Sequence, residues 1–452
     1  MASFNLRSSV ILRLIIIGVL GLVLLIPAAL IQDVITEREG RRDEATREVS
    51  EKWGGIQTVS GPMLTVPFKK LFKDTAGKIA TYIEYAHFLP EQLNIDAKLD
   101  PEIRHRGIYD IVLYKSDLTF TGKFLAPDFA GLNIAEADVM WKDAYLALGL
   151  TDLKGIKEIV KVKWNDTTLT ANPGLESNDV INIGISSKPV LAALTRDATV
   201  SGGGYDFSMN VKLNGSTEMS FTPVGRETVV KTNSSWRNPS FAGAYLPETR
   251  EVSEKGFTAA WKILHLNRNY PQQWIGNTQS IQGSQFGVRL LLLVDEYQKN
   301  MRSAKYAIMF IFLTFLALFM TEVLNRKSIH PIQYILIGIA LLVFYTLLLS
   351  LSEQIGFGLA YLAASAAIIS LITGYTKSVL GGLRETLAIA GILSLLYGFL
   401  FVILQLEDYA LLLGSVFLFA VLAAVMYLTR KIDWFNAGKA AASESPESKP
   451  VA

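Results

Sequence analysis

The chain has 452 residues, of which 50% are hydrophobic and only 19% are charged. A formal net charge of +2 provides no basic surface of the kind that binds nucleic acid, so nucleic acid is excluded as a partner. Cysteine is absent, which excludes disulfides, thiolate metal sites and thiol catalysis.

Residues 1–32 are predicted to form a membrane anchor. Arg7 and Arg13 precede a charge-free apolar run over residues 14–32, long enough to cross ~30 Å of hydrocarbon as a helix. A cleaved signal peptide is the alternative. The run is long for a signal peptide, and residues 27–30 (Pro-Ala-Ala-Leu) make a poor cleavage site, so we favour an uncleaved anchor.

Residues 33–52 are highly charged and of mixed sign, with few apolar positions. This composition favours a solvated juxtamembrane helix that continues out of the first span and separates the next domain from the lipid. A helix that pairs with a coiled-coil partner is the alternative.

The segment 53–303 is predicted to be a β-rich domain, because its apolar residues recur with a period of two. Many strands and few helices indicate a mainly antiparallel sandwich or barrel. The glycine run at residues 202–204 is predicted as an internal boundary if the domain has two parts. The strands are predicted at residues 62–68, 79–88, 109–115, 118–124, 159–164, 180–185, 258–266 and 288–294.

The clearest alternation covers residues 205–213, and Met219 and Phe221 continue its apolar face. A three-residue loop of Leu213, Asn214 and Gly215 would keep both apolar faces on one side, with glycine in the left-handed position. The sequence therefore predicts a bulged hairpin that pairs Met209 with Met219.

Residues 304–430 are predicted to be a bundle of five membrane-spanning helices, which makes six transmembrane helices in all. Five successive apolar runs, each close to the length of a membrane span, indicate a polytopic membrane protein. The apolar runs cover residues 306–321, 331–352, 354–376, 386–406 and 409–429.

The positive residues beside the spans predict the orientation. Short connections on one side hold Lys or Arg, and those on the other side, at residues 353–356 and 407–408, hold none. Both termini are therefore predicted to be cytoplasmic, residues 33–303 periplasmic, and residues 431–452 a disordered cytoplasmic tail. The cytoplasmic positive residues are Arg7, Arg13, Arg326, Lys327, Lys377, Arg384, Arg430 and Lys431.

The sequence contains no enzyme motif, so no catalytic, cofactor-binding or metal-binding residues are predicted. There is no phosphate-binding loop, no nucleophile elbow and no metal-ligand spacing. The four histidines are far apart in the sequence: His87, His105, His265 and His330. The prediction is therefore a protein that is not an enzyme and needs no cofactor.

Glu322 is the main candidate in the membrane, since ionisable residues at membrane depth are functional candidates. It lies near the predicted cytoplasmic end of the second span, close to Arg326, Lys327 and His330. The functional hypothesis is a proton or cation relay. The ordinary alternative is a salt bridge at the membrane interface.

Glu353, Glu407 and Asp408 place three carboxylates at the predicted periplasmic side. They are either ordinary loop residues or a docking ring for the β domain or for a cationic ligand. Tyr361 lies deeper in a span and needs a partner for its hydroxyl. The span that contains it is rich in glycine and alanine, which indicates close helix packing or the wall of a lipid-facing groove.

Several short stretches of the sequence are distinctive in their order and spacing. They are Trp53-Gly54 with Gln57, residues 60–67 (Ser-Gly-Pro-Met-Leu-Thr-Val-Pro), Pro239-Ser240-Phe241 with Gly243 and Leu246-Pro247, residues 256–261 (Gly-Phe-Thr-Ala-Ala-Trp), residues 329–334 (Ile-His-Pro-Ile-Gln-Tyr), residues 350–353 (Ser-Leu-Ser-Glu) and Ala360-Tyr361. Together they resemble the CreD family of inner-membrane proteins of Gram-negative bacteria. The resemblance covers nearly the whole chain, including one anchor, one large periplasmic domain and a C-terminal bundle.

The resemblance implies an envelope-integrity protein of the stress response, downstream of the CreBC two-component system. No enzymatic activity is implied, so no catalytic residues are carried over. The predicted function is non-catalytic binding through the periplasmic domain, with membrane lipids and a periplasmic protein or envelope component as partners. The alternative is a transporter or lipid-handling protein that uses the C-terminal helices.

Overall fold

The computed structural model describes residues 10–73, 79–188, 204–292, 296–325, 329–406 and 409–430. The chain divides into two compact units. Met1–Arg42 together with Val294–Ala452 form the helical unit, and Asp43–Leu293 form the β unit.

Within the described residues there are eight α-helices. Six helical segments are long and apolar enough to cross a membrane, the first of them formed by α1 and α2 together, which confirms the predicted six-helix architecture. The helices are α1 (Val10–Val23), α2 (Leu25–Trp53), α3 (Glu296–Lys305), α4 (Ala307–Leu324), α5 (Pro331–Ile355), α6 (Phe357–Leu380), α7 (Leu383–Gln405) and α8 (Ala410–Thr429).

The first span is interrupted only between α1 and α2, at Leu24. Pro27 explains the interruption, because its ring nitrogen cannot donate a hydrogen bond and its ring displaces the carbonyl of Val23. Backbone hydrogen bonds from Leu24 to Leu20 and from Ala28 to Leu24 continue the helix across this point. From there α2 carries the helix through the charged segment to Trp53.

Aromatic side chains fill the interior of the helical unit. Phe344 on α5 contacts the rings of Tyr361 on α6 and Tyr397 on α7, with centroids 5.4 Å and 4.7 Å apart. Close packing also brings Leu24 against α5, where a Cβ at Gly338 would collide with the leucine side chain. The helices are therefore held by shape-matched contacts, as helices in lipid require.

The β unit contains seventeen strands within the described residues, arranged in two sheets. The strands are β1 (Gln57–Lys73), β2 (Ile79–Phe88), β3 (Gln92–Arg106), β4 (Tyr109–Leu125), β5 (Tyr145–Leu150), β6 (Lys161–Trp164), β7 (Thr167–Thr170), β8 (Asn172–Pro173), β9 (Gly184–Ser187), β10 (Gly204–Ser216), β11 (Glu218–Thr222), β12 (Glu227–Ser234), β13 (Pro239–Gly243), β14 (Thr249–Ser253), β15 (Gly256–Leu264), β16 (Gln273–Ile275) and β17 (Phe286–Leu290).

The first sheet has the strand order β13-β17-β11-β1-β5-β9-β8, with β2 paired to β1 and β16 paired to β2. The second sheet has the order β14-β15-β12-β3-β4-β10-β6-β7. Only β1 with β11 and β12 with β3 run parallel among the described pairs. The predicted mainly antiparallel β architecture is thus confirmed.

One hydrophobic core contains side chains from both sheets. Strand alternation explains how each sheet contributes to it: on β3, Leu93, Ile95, Ala97 and Leu99 are buried while the residues between them are exposed. The largest side chains that are almost completely buried in this unit include Trp164, Trp261, Tyr114, Tyr145, Phe120, Phe124, Phe221 and Phe286.

The predicted hairpin at Asn214 and Gly215 is wrong. β10 continues through both residues, and Gly215 pairs with Tyr114 on β4. The chain then turns at Thr217, whose φ is 56°, and enters the other sheet, where Met219 pairs with Gln57 of β1. The alternating pattern determines which face of a strand is buried, but it does not determine which strand lies beside it.

Other predicted strands differ from the structure in their limits. The runs 109–115 and 118–124 form the single strand β4, since the polar residues between them lie on one long ladder with β3. The run predicted at 180–185 enters the sheet only at Gly184. Of the predicted boundary 202–204, residues 202 and 203 lie outside the described residues, and both sheets contain strands from before and after it.

His87 on β2 is a buried ionisable residue in this core, with 1% of its surface exposed. Its Nδ1 lies 3.1 Å from the Thr65 hydroxyl. Its Nε2 has no hydrogen-bond partner among the described residues and lies 3.6 Å from the Asp179 carboxylate. Burial lowers the pKa of His87 from 6.5 to about 4, although Asp179 opposes this shift.

The free energy of unfolding is therefore expected to depend on the protonation of His87. Above pH 6.5 the imidazole is neutral in both states, and as the pH falls toward about 4 only the unfolded state takes up a proton. Full-length protein should lose up to about 3 kcal/mol of stability over this interval. Chemical denaturation followed by tryptophan fluorescence measures the loss.

The matched variant for this experiment is His87→Gln, which cannot titrate. Carboxylates contribute equally to both proteins, so the difference between their pH profiles isolates His87. Identical pH profiles for wild type and variant would contradict the assignment.

Candidate functional site

Glu322 lies at the centre of a buried polar site in the helical unit. The side chain is 4% exposed, and its Oε1 lies 2.7 Å from Nη1 of Arg13. The hydroxyl of Tyr334 donates a hydrogen bond to the other carboxylate oxygen at 3.0 Å. Three helices, α1, α4 and α5, thus each supply one member of this site, which we call the ion-pair site.

The local packing explains why these three side chains meet. The ring of Tyr334 packs edge-on against the ring of Phe315, with ring centroids 5.4 Å apart. Phe315 lies about two helical turns before Glu322 on α4. Gly338 allows the first span to approach α5 closely, and this approach brings Arg13 within reach of the carboxylate. The guanidinium of Arg13 and the hydroxyl of Tyr334 together give each oxygen of the Glu322 carboxylate a hydrogen-bond donor.

The sequence identified Glu322 but not the two partners that the structure gives it, Arg13 and Tyr334. The expected neighbours Arg326 and Lys327 lie outside the described residues, so their proximity to Glu322 stays a prediction. The sequence indicates a role in topology for Arg13, but no contact with Glu322. A single arginine at the start of an apolar run and a single glutamate at the end of another are, however, a recognisable pair for helices that lie side by side.

His330 has a structural role at the start of α5. Its Nδ1 accepts a hydrogen bond from the backbone N–H of Ile332, and its own N–H donates to Gln333. Pro331 occupies the first helical position, where its missing N–H costs nothing. The residue therefore caps a helix and makes no described contact with Glu322.

Glu353 belongs to a second polar cluster in the helical unit. The hydroxyl of Tyr297 donates to its Oε1 at 2.9 Å, and Arg38 lies 3.9 Å from its Oε2. Next to it, Asn300 donates to the hydroxyl of Ser352 at 2.7 Å. Glu353 thus connects α2, α3 and α5, whereas Glu407 and Asp408 lie outside the described residues.

Tyr361 has the hydroxyl partner that its depth requires, because it donates to the backbone carbonyl of Tyr397 at 2.7 Å. The glycine and alanine residues around it on α6 divide between two environments. Ala360 and Ala364 are buried in the bundle, and Ala363 and Ala367 are exposed. The buried alanines agree with the predicted close packing of this helix, and the lipid-facing groove stays a prediction.

The β unit contains a cleft that no sequence motif indicated. It has a volume of about 290 Å³ and lies where β1 and β5 meet two loops. We call it the polar cleft. It is lined by Thr58, Ser60, Gly149, Leu150, Thr151, Val180, Ile181, Asn182, Ile183, Ile281, Gln282 and Gln285.

The first loop of the polar cleft, residues 176–183, is fixed by several hydrogen bonds. The N–H of Ser177 donates to the hydroxyl of Tyr145, and the N–H of Leu150 donates to the carbonyl of Ile183. Burial raises the pKa of Tyr145 to about 12, so its hydroxyl stays protonated at neutral pH. Asp179, in the same loop, lies beside His87.

The second loop, residues 281–285, is equally well held. Ser284 donates to the carbonyl of Ile281 at 2.7 Å and lies 3.1 Å from the hydroxyl of Tyr270. Gln285 accepts a hydrogen bond from the N–H of Gly283. Both walls of the polar cleft are thus held in place by hydrogen bonds within the β unit.

A metal site has no support among the described residues, where no group of three or more His, Cys, Asp or Glu side chains is placed to hold an ion. The chemistry that the described sites offer is hydrogen bonding and charge pairing.

The ion-pair site should behave as one unit in a double-mutant cycle. Arg13→Leu removes the charged partner of the buried Glu322 carboxylate and should cost about 3–5 kcal/mol of stability, because a buried charge loses its compensation. The double variant Arg13→Leu with Glu322→Leu should lose much less than the sum of the two single variants. Thermal unfolding of the full-length protein in detergent measures these losses.

Tyr334→Phe is the matched control, since it removes only the neutral donor and should cost about 1 kcal/mol. Strict additivity of the two charge-removing variants would show that Arg13 and Glu322 are not coupled.

Comparison with known proteins places these sites in a family. The model of the family described as "Inner membrane protein CreD" matches residues 9–435. The chain is 33% identical to the inner membrane protein CreD of Escherichia coli (strain K12) over 423 residues, which covers 92% of this chain and 91% of the relative. The protein belongs to the CreD family of inner membrane proteins.

Proposed function

We propose that the protein maintains envelope integrity under stress by binding an envelope component through its β unit, without catalysis. The polar cleft is the observation that carries this proposal, because two hydrogen-bonded loops present exposed amide side chains, Asn182 and Gln282, at its edge. The helical unit then serves as the membrane anchor of the binding unit. The ligand is a periplasmic protein or another component of the envelope.

The proposed topology has both termini in the cytoplasm and residues 33–303 in the periplasm. The positive residues beside the spans support this orientation, and contacts within the helical unit support the pairing of span ends that it requires. The ion-pair site joins the start of the first span to the end of α4, which this topology places on the same, cytoplasmic side. The Glu353 cluster joins α2, α3 and the end of α5, which it places on the periplasmic side.

Non-catalytic binding is supported by the roles of the histidines in the described part of the chain. His87 is buried against Thr65, and His330 caps α5. His105 is exposed and pairs with Asp110 at 2.5 Å on the same hairpin. None of these three lies on the polar cleft.

One observation favours the alternative, a transporter or lipid-handling role for the helical unit. The hydroxyls of Tyr345, Tyr397 and Thr314 are buried without a hydrogen-bond partner among the described residues. Buried hydroxyls of this kind commonly hold water or a polar ligand group. The aromatic packing around Phe344 speaks against an open passage, so we rank this function second.

The proposed topology can be tested by thiol labelling, for which the absence of cysteine is an advantage. Asp206→Cys, on an exposed position of β10, should react with a membrane-impermeant maleimide in intact spheroplasts. Lys377→Cys, near the end of α6, should react only after the membrane is permeabilised. The reverse pattern would refute the orientation.

The binding function is tested in a strain that lacks this gene and carries variants at matched abundance. Asn182→Trp fills the polar cleft from an exposed position, so we expect it to insert normally and to lose protection against envelope stress. Asn94→Trp, at an exposed position of the other sheet, should protect like wild type. Full protection by Asn182→Trp would remove the polar cleft from the function.

A further inference from the structure

We propose that the polar cleft binds a neutral, hydroxyl-rich glycan, an inference that rests on the proposed function of the β unit.

The lack of charged residues in the lining limits the class of ligand. None of the described residues that line the polar cleft is Asp, Glu, Lys or Arg. A phosphate or carboxylate ligand would lose its hydration without gaining a charged partner, which is costly. The ligand group that enters is therefore uncharged.

The hydrogen-bonding groups of the lining narrow the class further. The hydroxyls of Ser60 and Thr151 already bond within the protein, to the Thr222 hydroxyl and to the backbone of Thr58. Asn182 and Gln282, by contrast, are exposed on the two loops. Neither of these two amide side chains makes a hydrogen bond to a described residue. Each amide offers two N–H donors and a carbonyl acceptor, which match hydroxyl groups that both donate and accept.

Apolar side chains in the lining match the C–H faces of a sugar ring. Val180 and Ile183 lie on the same wall as Asn182, and Ile183 is 53% exposed. A sugar ring presents C–H groups on its faces and hydroxyls on its edge, so it can pack against these side chains while its edge meets the amides. The volume of about 290 Å³ is just below the ~300–1,000 Å³ typical of sites that enclose a whole ligand, which suits one segment of a longer glycan.

Strand pairing disfavours an uncharged peptide as the ligand. Beside the polar cleft, β1 pairs with β11 on one side and with β5 on the other. β5 in turn pairs with β9. Since these described strands have no free edge here, a peptide cannot add to the sheet through its backbone, which is the common mode of peptide binding to a sheet.

The test uses purified full-length protein in lipid nanodiscs, titrated with two neutral probes, chitotetraose and maltotetraose, by calorimetry. Saturable binding of at least one probe is expected. The variant Asn182→Ala with Gln282→Ala should bind that probe at least tenfold more weakly. Asn94→Ala is the matched control and should leave affinity unchanged.

Three results would overturn the inference: neither probe binds, binding is unaffected by the double variant, or an uncharged acetylated and amidated tetrapeptide binds in place of the glycans. The cell assay with Asn182→Trp separates this failure from failure of the proposed function. If that variant loses protection while no glycan binds, the polar cleft still functions and only the ligand class is wrong.

Discussion

The contact between Arg13 and Glu322 is the interaction on which the arrangement of the helical unit depends. Apolar side chains gain nothing from moving out of lipid into a helix interface, so helices in a membrane associate through close packing and polar contacts. Only 17% of the apolar window of the first span is buried, compared with 56% for α4. With so little packing, the first span is positioned by a few contacts, among which the ion pair is the charged one at its start and Leu24 against α5 the closest apolar one.

The β unit is stabilised by a different balance of forces. Its two sheets share one hydrophobic core, and that core can hold loops in fixed conformations. The polar cleft benefits from this, because its two loops are attached to Tyr145 and Tyr270, whose rings belong to the core. A rigid scaffold that presents polar loops is a common basis for binding sites.

The sequence predicted the features that depend on local pattern. Apolar runs predicted the six spans, and alternation predicted that Phe207 and Met209 are buried. It did not predict the features that depend on distant contacts. Three such features bring together residues that are far apart in the chain, and no spacing rule connects those residues. They are the pairing of β11 with β1, the contact of Glu322 with Arg13, and the position of Asn182 and Gln282 on one cleft. Glu322 was found because a carboxylate in an apolar run is conspicuous, whereas exposed asparagine and glutamine residues in loops are not.

The parallel pairing of β1 with β11 has a consequence for how the β unit assembles. The chain emerges from the ribosome from its N-terminus, so β1 is complete long before the strand that covers one of its edges exists. Contacts between residues so distant in sequence make folding slow, and unpaired edges are prone to aggregate meanwhile. The final strand of this ladder, β17, is almost the last part of the unit to be made. The first sheet can therefore be completed only after β17 has been made, and the nascent edges of the β unit need protection until then.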